Sequence, residues 1–190
     1  MVTTKHEKRY LIRGFIDGVL ASLGVVIGAS TAIGTTTEAA ANAIIIAAGI
    51  GGGVANGLSN ILGASVGEKL VKEIELAEIE KAMLKQGGDL HGTTIDKQLN
   101  QKLLSSAFYD GLATFIGSII PVIPFILGSF LFILDMISLY ISIVVSLLLF
   151  FILGLYIGKI SREHMILSGL KLVAFGIVTV IITTFIRMIL

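Results

Sequence analysis

Between Glu38 and Glu68 the chain carries no charged side chain, and between Gly111 and Gly158 it carries one, Asp135. These two runs limit the possible folds more than any other feature. A helix needs about 20 apolar residues to cross the hydrocarbon core of a bilayer, and both runs exceed that. The rest of the chain agrees, with 55% hydrophobic against 14% charged residues and a mean hydropathy of +0.96, outside the balance of a soluble domain. Backbone groups in lipid must bond internally, so a spanning segment is a helix or part of a closed barrel. No ten-residue alternating segments are present, which leaves helices.

Five stretches are long and apolar enough to span, approximately Leu11 to Ile33, Ala41 to Val66, Leu104 to Leu127, Leu134 to Gly158 and Met165 to Ile189. The run from Gly111 to Gly158 is too long for one crossing and is expected to turn back near Gly128 and Asp135. The expected fold is all-α: a polytopic membrane protein with five transmembrane helices and a short cytoplasmic helical segment between helices two and three. The corresponding regions are residues 1–66, 67–103 and 104–190.

The cations set the orientation. Lys5, Lys8, Arg9 and Arg13 open helix one, six lysines from Lys69 to Lys102 lie between helices two and three, and Lys159, Arg162 and Lys171 surround the last connection. Only Arg187 falls at the other end. The positive-inside rule then places the N-terminus in the cytoplasm and the C-terminus outside or in a lumen, as five crossings require. The charged start runs into an apolar segment without a small-residue cleavage site, so no removable signal peptide is expected. With no cysteine, disulfides, thiolate metal sites and cysteine nucleophiles are excluded.

The stretch "GEKLVKEIELAEIEKAMLKQGGDLHGTTIDKQLNQKLL" reads as a helix leaving helix two and ending near Lys85, a break at Gly87 and Gly88, and a second short helix from about Thr94, capped by Thr93 or Thr94. Glu68 with Lys72, and Glu78 with Lys81, have the spacings at which a helix pairs opposite charges. The acidic cluster of Glu68, Glu73, Glu75, Glu78 and Glu80 exceeds what those pairs would use. A solvated helix of mixed charge is the plain reading, and a cation-collecting surface is the functional one.

Two segments, "FIDGVLASLG" from Phe15 and "FYDGLATFIG" from Phe108, carry an aspartate in the same Phe-x-Asp-Gly setting. Asp17 and Asp110 lie at similar depth, about two turns inside helices entering from the cytoplasm. Each either complements its helix dipole or serves a cation path. Glycines four apart, such as Gly14 with Gly18 and Gly154 with Gly158, allow close helix packing, either within the chain or along a homodimer seam on helix one. Pro121 and Pro124 are expected to kink or unwind the outer end of helix three.

These residues resemble the vacuolar iron transporter family, whose members move ferrous iron or manganese, generally against protons. "GFIDGVLASLGVVIGAS", "GLSNILGASVGEKL", "FIGSIIPVIPFIL" and "SGLKLVAFGIVTVIITTFI" are similar to its first, second, third and last helices. The resemblance implies a homodimeric, proton-coupled divalent cation transporter with the ion path between subunits. By that resemblance Asp17 is a path and metal residue, and Asn60 stands where many members have a methionine ligand. An acidic position of the family falls on Gly52. Asp110 is a further path candidate. Glu68, Glu75, Glu78 and Met83 are candidate metal ligands, with Glu75 and Glu78 forming a Glu-x-x-Glu pair like those of the family's cytoplasmic helices. The amide oxygen of Asn60 is a harder ligand than a thioether.

The expected partners are a second copy, divalent cations and the bilayer, with no nucleic acid and no cofactor apart from the transported or bound cation. His6, His91 and His164 have no metal-binding spacing and read as surface residues. A metal-binding or structural membrane dimer without transport is the alternative. An intramembrane enzyme fits less well, because Asp17 has no neighbouring aspartates at short spacing and no His-Glu motif lies in a span.

Overall fold

The computed structural model describes residues 5–84, 87–131 and 135–189, with side chains from residue 8 onward. Among these residues the helices are α1 (Lys5–Ala29), α2 (Glu38–Ala82), α3 (Thr94–Ile119), α4 (Ile123–Leu131), α5 (Asp135–Ser161) and α6 (Met165–Ile189), with 3-10 turns at Ser30–Ala32 and Ile120–Val122. No β-strand occurs among them. α3, its 3-10 turn and α4 follow one another as a single candidate span, so five helical segments are long and apolar enough to cross a membrane. This is the expected all-α, five-span architecture. The expected turn near Gly128 and Asp135 falls partly on residues 132–134, outside the described residues.

Local chemistry accounts for the boundaries. Thr37 caps α2, its hydroxyl oxygen accepting from the Ala40 N–H at 3.4 Å, and Glu38 follows in the positive end of the helix dipole. Pro121 has no N–H to donate, and the helix tightens into 3-10 geometry there, where the prolines were expected to break it. The Ser142 hydroxyl donates to the Pro121 carbonyl at 2.5 Å and ties α5 to this turn.

α1 is the central post. Val19, Leu23, Val26 and Ile27 of α1 form the core with Ile45, Val122, Phe125, Leu139 and Phe150. Against α3 it packs at backbone distance: a Cβ on Gly14 would collide with the Asp110 carbonyl, and one on Gly18 with the Thr114 carbonyl. The Ser22 hydroxyl donates to Ser118 O at 2.6 Å, and the Ser118 hydroxyl to Gly18 O at 3.2 Å. Of the two uses open for these glycines, Gly14 and Gly18 serve packing within the chain. Gly154 and Gly158 likewise bring α5 onto the start of α6.

At 45 residues, α2 is about 67 Å long, roughly twice the hydrocarbon thickness. Its charged C-terminal part runs beside the start of α3, and the two are pinned by Lys72, whose ammonium lies 2.6 Å from Asp96. The second helix of this region is not short, because α3 continues from Thr94 to Ile119 without a proline to stop it. Thr93 occupies the N-cap without a capping bond, its hydroxyl donating instead to Leu90 O at 2.6 Å. Asp96 accepts from the Gly92 N–H at 2.8 Å in its place.

Candidate functional site

The two Phe-x-Asp-Gly aspartates have different surroundings. Asp110 is fully buried, and its carboxylate is held by both Arg13 Nε, at 3.2 Å, and Arg13 Nη2. Arg13 keeps half its side chain exposed and stacks on the Tyr10 ring, 4.9 Å from the centroid. Asp110 thus closes the α1–α3 contact as a neutralised ion pair.

Asp17, one turn beyond Arg13, is half-buried and has no ion pair among the described residues. Its Oδ2 accepts from Asn60 Nδ2 at 2.7 Å and from Asn56 Nδ2 at 3.3 Å. Asn60 Nδ2 also donates to Thr114 Oγ1 at 2.8 Å, and the Thr114 hydroxyl donates to Asp110 O at 2.8 Å. α1 supplies the charge, α2 supplies two amides four residues apart on one face, and α3 supplies a buried hydroxyl. The Asn56 and Asn60 side-chain oxygens accept no hydrogen bond among the described residues. A rotation of either amide would turn an oxygen toward Asp17. The set is then one carboxylate, two amide oxygens and a hydroxyl, all hard donors suited to a hard divalent cation.

Of the expected site residues, Asp17 and Asn60 come together, and Asp110 joins them only through its backbone carbonyl and Thr114. Asn56 and Thr114 were not singled out from sequence. The available signal was their four-residue spacing from Asn60 and Asp110 in nearly charge-free helices.

Glu68 and Glu75 line a separate cavity of about 140 Å³ with Arg9, Lys72 and Lys102. Three cations there offset two carboxylates, which weakens any attraction for a divalent ion. Glu78 is exposed, and Met83 is the exposed C-cap of α2. The expected pairings of Glu68 with Lys72 and Glu78 with Lys81 do not form; Lys72 turns to Asp96 and, at 3.6 Å, to Glu73. The Asp96 hydrogen bond is the main cause that raises the Lys72 ammonium above its usual value, against the opposing effect of burial. The same bond, seconded by the Gly92 N–H, lowers the Asp96 carboxyl. Glu80 is buried and accepts from the N–H groups of Gly88 and Leu90, stapling the connection to α3. Among the described residues no three Asp, Glu or His side chains gather as a metal site. His91 lies 3.5 Å from Glu73 and is exposed, as is His164; the His6 side chain lies outside the described residues.

A model described as VIT family matches residues 82–188, from the end of α2 to the end of α6. That stretch includes Asp110 and Thr114 but not Asp17, Asn56 or Asn60. Uncharacterized protein MJ0645 of Methanocaldococcus jannaschii is 47% identical over 174 residues, covering 92% of this chain and 85% of its own length.

Proposed function

Because the chain belongs to the VIT family, whose members are membrane metal-ion transporters, we propose that it carries ferrous iron or manganese across the bilayer along a path containing Asp17. It is a multi-pass membrane protein, and the family's members are transporters rather than enzymes. The proposal adds proton exchange, a homodimeric assembly, a cytoplasmic N-terminus and an outer or lumenal C-terminus. One observation carries it: Asp17 is a half-buried carboxylate held by neutral amides, with no cation paired to it among the described residues. An ionised carboxylate within a span is costly unless a cation or proton compensates it. In this reading a mobile ion takes that role.

Asp110 has a supporting part, with its charge given to Arg13 and its backbone carbonyl holding Thr114 toward Asn60. Glu68, Glu75 and Glu78 form no gathered ligand set, the first two are offset by neighbouring cations, and Met83 is uncharged, so in this reading only the exposed Glu78 draws cations to the surface by charge.

The test is uptake of ferrous iron and manganese into proteoliposomes loaded with a metal-sensitive dye, comparing wild type with Asp17→Asn. Uptake by the wild type that falls in the variant to the rate of protein-free vesicles is the expected result. A folded wild type that moves neither metal would overturn the reading. An outward proton gradient is expected to speed uptake, and indifference to it would remove the exchange step while leaving the path.

A further inference from the structure

A groove of about 710 Å³ opens between the start of α1 and the end of α5, on the side of the molecule where the charged helix extensions lie. Ile12 and Ile16 of α1 and Ile157 and Ile160 of α5 line it, and Lys8, Arg9 and Arg13 stand at its lip. No acidic residue lines it. Arg13 is already neutralised by Asp110. Lys8 and Arg9 are exposed and have no ion pair among the described residues, although Arg9 also lines the cavity that holds Glu68 and Glu75.

We propose that this groove binds an acidic phospholipid, with the phosphate on Lys8 and Arg9 and an acyl chain along the four isoleucines. The polarity of the groove matches one such molecule: an apolar floor within the span and a cationic lip where α1 leaves it. Charge selects the headgroup. A phosphatidylcholine would bring its own ammonium to Lys8 and Arg9, whereas phosphatidylglycerol brings a net negative charge. A free phosphate would meet the lip but leave the isoleucine floor uncovered. The inference is independent of whether the protein moves cations.

The experiment is thermal unfolding of the delipidated full-length protein in uncharged detergent, with added phosphatidylglycerol, phosphatidylcholine or inorganic phosphate. Phosphatidylglycerol is expected to raise the melting temperature progressively with the logarithm of its concentration, and the other two to leave it nearly unchanged. Lys8→Gln/Arg9→Gln is expected to lose that rise, while Arg162→Gln/Lys171→Gln, which removes the same charge outside the groove, keeps it. Ile160→Trp, a change at an exposed position that narrows the apolar floor, is expected to reduce the rise and tests the site even if the double variant folds poorly. An equal rise in all variants, with phosphatidylcholine, or with phosphate alone overturns the proposal. So does disulfide crosslinking of Ile160→Cys to a second copy in vesicles, which would mean that protein covers the groove.

Discussion

Arg13 lies four residues before Asp17 on the same helix face, yet its guanidinium reaches across to Asp110. That choice leaves Asp17 to Asn56 and Asn60, and it explains how two identical local settings acquire different electrostatic roles. The pair is asymmetric, because the Asp110 side chain is 0% exposed and that of Arg13 is 53% exposed. Arg13→Ala strands a buried carboxylate and is expected to cost about 3–5 kcal/mol, the range for breaking a buried pair. Asp110→Asn leaves a cation that can turn to water, and is expected to lower the melting temperature by a smaller amount. Equal losses in unfolding experiments would contradict this account. At Asn60, replacement of a hard amide by a thioether in Asn60→Met is expected to raise the ferrous-to-manganous uptake ratio by about threefold, roughly 0.65 kcal/mol of discrimination. An unchanged ratio would remove Asn60 from the ligand set. Asp17 was legible in the sequence as a charge in an apolar helix, and Asn60 only through the resemblance, as the place of a methionine ligand. Asn56 and Thr114 were not, because their relevance depends on how α2 and α3 are rotated about their axes, which one sequence does not specify.

Helix packing follows from backbone contact. Gly18 faces the Thr114 carbonyl, and Gly28, ten residues along α1, has nothing within 4 Å of where a Cβ would stand. Gly18→Ala is therefore expected to force α1 from α3 at a cost of about 1–3 kcal/mol, while Gly28→Ala leaves the melting temperature unchanged or raises it slightly. Outside the spans, α2 and α3 are joined by Lys72 and Asp96. Asp96 lies below its ordinary 3.8 and Lys72 above its ordinary 10.5, so the pair contributes fully between those two values. Its contribution is lost as pH falls through the depressed Asp96 value or rises through the elevated Lys72 value. Asp96→Asn is expected to melt lower than wild type at about pH 6 and to lose less on acidification to about pH 3. Parallel pH profiles would assign the helix junction to other contacts. The five spans and the proline break were legible because they depend on hydropathy and on a missing N–H. The charge pairing was not: spacing along α2 offered Lys72 to Glu68, but the chain folds Asp96 of α3 closer.

Across the whole molecule the five spans alternate, so the start of α1, the α2–α3 junction and the α5–α6 connection share one end. Arg187 lies at the other, near Thr31 and Thr35 after α1. The Asp17 group supplies one carboxylate, two amides and a hydroxyl from three helices. A divalent cation that prefers about six oxygen ligands would leave part of its shell to water or to a second protein surface. Ser59 and Gly63 flank Asn60 on α2 and are exposed; Gly63 has nothing within 4 Å of where a Cβ would stand. Small exposed residues let another helix approach closely in lipid, where packing drives association. The proposed homodimer is therefore expected to place α2 of one protomer beside α2 of its partner, with the two Asp17 groups facing a shared path. The chain has no cysteine, so a single-cysteine variant reports this directly. Ser59→Cys in vesicles is expected to form a disulfide-linked dimer on mild oxidation, and Leu148→Cys, exposed on α5, is expected to remain monomeric under the same conditions. If Leu148→Cys crosslinks and Ser59→Cys does not, the assembly uses the far side of the bundle. Each Asp17 group would then bind its cation without help from a partner.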